Sequence, residues 1–278
     1  MARKLEHEVP RLGEKSGESP TPTRRPRLSL EQTRARVLEA AVARVLRDGL
    51  GSGLEHVRLE DAVRDADVSR TGSYRCWPRR DDFLLDVLCD LAIRAVPIDG
   101  RRGGAATASL RSVVTGAVAD LATVDGRRTV LRDAVIAAAC DELVADGEEI
   151  ERWRLYLGLA MAAETLPAGE GRDRVREAVA SAESRVLDRL VSNYRTLLGL
   201  FAFEPVVGYR ELAEVVVAMM RGLAIGDMAS AGSSAALVAR SIGMLVDAGV
   251  RPADESVWDA DSIGRLVDSV GVPDLFVG

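Results

Sequence analysis

Several side-chain types are scarce in this chain of 278 residues, and each scarcity closes off a class of function. Two histidines, His7 and His56, lie far apart and are too few for a histidine-based metal or catalytic centre. Three cysteines, Cys76, Cys89 and Cys140, are too dispersed for a disulfide framework or a CxxC metal site, which favours a reducing, cytoplasmic setting. Aromatic residues make up 4% of a chain that is 47% hydrophobic, so aliphatic side chains must fill the core. The longest unbroken apolar stretch, Leu155 to Ala163, is about half the length of a spanning helix. The first thirty residues lack the apolar run of a secretory signal. These absences predict a cytoplasmic protein with no membrane partner. Lysine occurs only at Lys4 and Lys15, so nearly all of the 37 basic residues are arginine.

The net charge of -6 argues against a nucleic-acid partner until it is divided along the chain. Residues 1–23 are neutral, with four basic and four acidic groups. Residues 24–85 carry thirteen Arg and ten acids, a balance of +3, whereas residues 86–278 carry twenty Arg and twenty-nine acids, a balance of -9. A basic N-terminal module on an acidic body follows.

The polar, Pro-containing residues 1–28 read as a flexible arm ending in Arg24, Arg25, Pro26 and Arg27. From Ser29 the pattern turns helical: Ser29 and Gln32 fit a capping box, and Val37, Leu38, Ala41, Val42 and Val45 recur on one face. Gly49 is placed for a left-handed helix end. Two short helices, at about 58–66 and 69–77, are joined by the turn Ala66-Asp67-Val68-Ser69, and Pro78 stops the second. Another helix begins near Arg79. The Gly/Arg-rich stretch Asp99 to Gly104 is a candidate break. Helical patterns then run at roughly 106–124, 127–145, 148–165, 172–200, 209–229, 234–248 and 255–270, with no convincing strand period. The expected fold is all-α: a flexible basic arm (1–28), a three-helix helix-turn-helix head (29–78) and a larger helical body (79–278) for ligand binding and dimerisation.

The second short helix, Arg70-Thr71-Gly72-Ser73-Tyr74-Arg75-Cys76-Trp77, offers a small cationic face with one phenolic hydroxyl, suited to a major groove and its flanking phosphates. Ser69 caps its start, where backbone N–H groups are available to a phosphate. The stretch from about Thr33 to Leu88 resembles the TetR family of transcriptional regulators. The resemblance is carried by Val68-Ser69-Arg70, Tyr74-Arg75, the Trp77-Pro78 pair and Arg79-Arg80-Asp81-Asp82-Phe83-Leu84-Leu85. It implies a homodimer with two DNA-binding heads and a helical body that binds a small effector. By position, Tyr74 would contact a phosphate. Arg80 stands where the family usually has Lys, on the DNA backbone. Arg70 and Thr71 would face bases, Gly72, Arg75 and Cys76 would lie on or beside the DNA face, and Ser69 is a further DNA-binding candidate. This chain departs from the pattern at Asp67, where the family has a turn glycine, at Arg58, where it has a capping Thr, and at Gly72 and Ser73. Arg24, Arg25 and Arg27 are candidates for minor-groove or phosphate contacts, against the alternative of a solvated tail.

In the body, Val186, Leu190, Tyr194 and Leu197 of one long helical stripe are candidate dimer contacts. So are Ala218, Met219, Gly222 and Gly226 of another, whose small residues continue to Ser230. By resemblance, segments 106–165 would line an effector pocket, with Trp153, Tyr156 and Met161 as adaptable apolar groups. The shortage of polar groups there favours a hydrophobic or amphipathic effector. The function expected is a TetR-like regulator, a repressor released from a palindromic site on double-stranded DNA by that effector, with no catalytic residue, no metal and no cofactor. Two alternatives stand beside it. Asp81-Asp82-Phe83-Leu84-Leu85-Asp86 superficially matches the Asp-rich motif of Mg²⁺-dependent prenyl-diphosphate enzymes, although first-turn acids suit a helix dipole equally well. The other is a helical small-molecule carrier whose head no longer binds DNA. Cys76 reads either as a redox switch or as a small semi-buried thiol.

Overall fold

The computed structural model describes residues 28–49, 57–95, 103–143, 148–229, 234–253 and 258–270. The described residues are predominantly helical, as the patterning predicts. Arg24, Arg25, Arg27, His7, His56 and Ser230 lie outside them.

Helix α1 (Leu30–Asp48) starts at the expected capping box: the Gln32 amide donates to Ser29 Oγ at 3.0 Å, and the Ser29 amide donates to Gln32 Oε1 at 2.9 Å. Such a cap contributes about 1 kcal/mol. Gly49 ends the helix with φ 77° and ψ 173°, a positive φ that favours glycine although it lies outside the left-handed helical basin. Two seven-residue helices follow, α2 (Leu59–Asp65) and α3 (Arg70–Cys76), and then α4 (Arg80–Arg94). Trp77 is extended, as a residue before proline prefers, and this ends α3. Its ring meets Phe83 edge-on at 5.3 Å, inside a core shared by Val37, Val42, Val87 and Leu91.

That core does not stop at residue 78. The apolar face of α4 belongs to it, and so do Leu159 and Ala163 of α7 (Glu148–Thr165) and Val175 of α8 (Glu170–Leu200). The expected division at 78/79 thus falls inside one packed unit, and α4 is the element both regions share. At Gly171 a side chain would bring a Cβ within 2.7 Å of Leu85 Cδ1, so glycine there lets the first turn of α8 approach α4 closely.

The rest of the body comprises α5 (Gly103–Gly116), a 3₁₀ segment (Val118–Ala122), α6 (Val124–Leu143), α9 (Tyr209–Ala229), α10 (Ser234–Gly249) and α11 (Ala260–Ser269). The single helix expected at 106–124 is therefore two pieces. Two three-residue strands, β1 (Phe203–Pro205) and β2 (Val250–Pro252), pair antiparallel with Glu204 opposite Arg251, whose side chains form an ion pair at 2.7 Å. Neither strand was expected, because three residues are too few to display a two-residue period. Ala202, at φ 52°, turns the chain from α8 into β1. Nearby, the buried Arg127 guanidinium lies 4.1 Å from the Trp258 ring and 5.1 Å from the Phe203 ring. Among the described residues no helix is long and apolar enough to cross a membrane.

Candidate nucleic-acid interface and ligand cavity

The turn between α2 and α3 holds Asp67 at φ 50°, the left-handed conformation that a glycine would adopt more easily. Aspartate tolerates this region better than most residues. Arg58 precedes α2 with no side-chain cap. Ser69 does cap α3, its Oγ accepting from the Gly72 amide at 3.2 Å. Ser73 is fully buried, and its hydroxyl donates to the Ser69 carbonyl at 3.1 Å, which satisfies the polar atom within its own helix. Gly72 faces inward as well. A Cβ there would stand 3.0 Å from Ser69 Oγ and 3.5 Å from Thr33 Cγ2 of α1, crowding the cap. Gly72 thus lets α3 approach α1 closely, and Ser73 is buried with its polar atom satisfied.

With Ser73 and Trp77 turned inward, α3 presents Arg70, Thr71, Tyr74 and Arg75 to solvent. Arg80 is exposed at the start of α4. A groove of about 970 Å³ opens beside α3, lined by Leu30, Thr33 and Arg36 of α1 and by Ser69, Gly72 and Arg75. Tyr74 is not idle: its hydroxyl donates to Glu60 Oε1 of α2 at 2.8 Å. The Glu60 carboxyl is held below the usual range by its own backbone amide, then by Tyr74, while this contact raises the Tyr74 phenol. Sequence reasoning missed Glu60, which places a negative charge beside Tyr74 on the face that also carries Arg70 and Arg75.

A second unforeseen feature lies beneath that face. Asp86 of α4 is 8% exposed and receives three donors from three directions. Arg34 of α1 approaches Oδ2 at 2.6 Å, Trp77 Nε1 approaches the same oxygen at 2.6 Å, and Arg174 of α8 approaches Oδ1 at 3.0 Å. Burial alone would push this carboxyl up. The three donors outweigh it and hold the value below the ordinary range. Asp86 is the last acid of the Asp-rich run, and it is committed to these cations. Asp81 and Asp82 occupy the first turn of α4, the dipole-favoured place for acids. Among the described residues, no group of three or more His, Cys, Asp and Glu is placed to hold a metal ion. The Cys76 thiol is pushed up by burial against the pull of Arg34 and Arg75, and it lies 3.5 Å from the Leu30 carbonyl. A raised thiol is a poor redox nucleophile.

In the body a cavity of about 220 Å³ lies among α5, α6, α8, α9 and α10. Its walls are almost entirely aliphatic, with Leu110, Leu131, Val135, Leu198 and Met220 among them. Three polar residues, Arg189, Asn193 and Tyr194, line it from α8. Segments expected to form a pocket do contribute, through α5 and α6, but α7 does not. Trp153 and Tyr156 of α7 are 1% and 2% exposed and packed in the core, where Tyr156 pairs edge-on with Trp153 and contacts Glu183. Met161 points outward at 71% exposure. None of the three lines the cavity, which corrects the expected location. Aromatic and Met residues on a helix do not reveal which neighbour they face; only the packing does.

The expected dimer stripes are likewise divided. Val186, Leu190 and Leu197 are buried in the chain's own core, and Leu190, Tyr194, Leu197 and Met219 also line the cavity. This corrects their assignment to an intermolecular face: the α8 stripe is consumed within the chain. On α9, Ala218, Gly222 and Gly226 are exposed, alongside Val215 and Ile225 at 49% and 52% exposure. No family model and no curated protein sequence matches the chain.

Proposed function

We propose that the chain is a TetR-like DNA-binding regulator that acts as a homodimeric repressor. The observation that carries this reading is the set of side chains α3 displays. Arg70, Thr71, Tyr74 and Arg75 face solvent on a capped helix end while Ser73 and Trp77 anchor it, so the short cationic helix has a free face for a major groove. Arg80 is set to meet the backbone next to that groove. The exposed α9 residues Val215, Ala218, Gly222 and Ile225 recur at intervals of three and four, a strip on which a second copy can pack closely. Two copies would present two α3 helices to successive grooves of a partly palindromic site. No residue is assigned a catalytic role.

Release would come from a small molecule in the body cavity. Helix α8 supports this coupling because one rigid rod carries both ends: Arg174, which grips Asp86 under the head, and Arg189, about 22 Å further along, which lines the cavity. A ligand that shifts α8 biases the position of α4 and with it the spacing of the heads. Gel-shift assays with DNA upstream of the protein's own coding region test the proposal. Binding with a steep salt dependence is expected. Tyr74→Phe and Arg80→Ala should weaken it on every sequence, and Arg70→Ala should relax base preference. Affinity unchanged in all three variants, or indifference to every such fragment, overturns the reading.

A further inference from the structure

Ion pairing divides the arginines of the head into two groups. Arg34, Arg44, Arg47, Arg64 and Arg94 each hold an aspartate within 3.0 Å. Arg36 of α1 and Arg70 and Arg75 of α3 are exposed and make no hydrogen bond or ion pair with a described residue. Two of these three, Arg36 and Arg75, line the same groove, one from each helix. Among the described lining residues the only acid is Asp67, and Thr33, Ser69 and Thr71 bring hydroxyls. Arginines elsewhere in the head are neutralised in place, so the uncommitted positive charge is concentrated beside α3. Each of these guanidinium groups keeps five N–H donors for an anion. The groove, at about 970 Å³, is as large as pockets that enclose a whole drug-sized molecule, which suits a stretch of extended polyanion better than a lone ion.

We infer that this groove seats the sugar–phosphate backbone of one DNA strand, with Arg36 of α1 contacting a phosphate while α3 occupies the adjoining major groove. The inference rests on the regulator reading, because α3 forms one wall of the groove and so decides which polyanion runs past Arg36. Arg36 lies outside the two short helices and their turn. A contact from it would raise affinity on every sequence and read none of them.

Fluorescence anisotropy of the full chain tests it on two labelled duplexes of equal length, one from upstream of its own coding region and one of scrambled sequence. Arg36→Gln should weaken both by the same factor, about fivefold to tenfold near 0.1 M salt. It should also reduce the slope of log K against log salt by about 0.9, the share of one phosphate. Arg36→Lys should return most of the affinity, since a phosphate accepts a point charge. Arg47→Gln removes the same charge from the same helix about 16 Å away, beyond the screening length of about 10 Å, and should match the parent. Thermal melts check that each variant folds. Parental affinity and slope in Arg36→Gln, a loss on one duplex only, or an equal loss in Arg47→Gln overturns the inference and leaves the regulator reading standing. A melt of Arg36→Gln well below that of the parent makes the residue structural and overturns it too. Polyglutamate bound by the parent as tightly as duplex assigns the groove to acidic chains instead. A parent that binds neither duplex brings down the groove and the regulator reading together.

Discussion

The head and the body solve packing in opposite ways. Around α1–α4 the apolar side chains are almost completely buried, every inward polar group described above has a partner, and Asp86 ties three helices together with one carboxylate. The body has a larger aliphatic core with a cavity of about 220 Å³ among its helices. A close-packed region transmits displacement, because its parts cannot move independently. A region with a void has room to change shape when the void is filled. A close-packed head joined to a cavity-bearing body is what the proposed ligand-operated switch needs.

The sharpest way to break this comparison is to add the same three carbons in both places. Ala41 is fully buried in the head, and Ala41→Leu should cost about 2–3 kcal/mol in urea denaturation through overpacking. Ala139→Leu, on the cavity wall, should stay within about 0.5 kcal/mol of the parent, because the branch enters empty space. Equal costs would mean that the two regions are packed alike.

Next in size is Asp86→Ala, expected to cost about 2 kcal/mol. The figure lies below the usual penalty for breaking a buried ion pair because Arg34 and Arg174 are about half exposed and can turn to water. The sign with pH is definite. The folded-state value of Asp86 is depressed, so its contribution is fully present above the unfolded carboxyl value of about 3.9 and disappears as pH falls through the folded value. Urea midpoints of the parent protein should therefore drop between pH 5 and pH 3 by more than those of Asp86→Asn. Parallel curves would remove Asp86 from that role.

The two regions also differ in how much of each could be read from the sequence, and for the same reason. In the head the signals are local. Ser29 with Gln32, Ser69 and Trp77-Pro78 each specify a helix end through groups within a few residues, and α1, α2 and α3 begin or end within a residue or two of expectation. Asp86 escaped notice because its partners are Arg34, 52 positions before it, and Arg174, 88 positions after it. In the body the helices themselves were legible from their period, yet not their facing. The α8 stripe of Val186, Leu190 and Leu197 has the spacing of an interface helix, and it covers α9 of the same chain instead. A periodic stripe states that a face is buried, never against what.

Backbone strain offers a smaller test. Asp67 and Ala202 both sit in the left-handed region, one at the head's turn and one after α8. Alanine lacks the short polar side chain that eases this conformation, so Ala202→Gly should stabilise by about 1 kcal/mol, and Asp67→Gly by less than half of that. Urea midpoints decide it. A larger gain at Asp67 would locate the strain in the head instead.

The smallest expected effect concerns the face proposed to meet DNA. Glu60 accepts the Tyr74 hydroxyl and is kept ionised by its own backbone amide and by that contact. Any phosphate that recruits Tyr74 must displace this carboxylate and then lie beside its charge. Glu60→Gln keeps an acceptor for Tyr74 but removes the charge, so DNA should bind about threefold more tightly near 0.1 M salt, where the screening length is about 10 Å. At 0.5 M salt the advantage should nearly vanish. Because the Glu60 carboxyl titrates below the usual range, lowering the pH from 7 to 5.5 should not reproduce the gain in the parent protein. A salt-independent change, or weaker binding, would show that Glu60 orients Tyr74 for contact and does not oppose it.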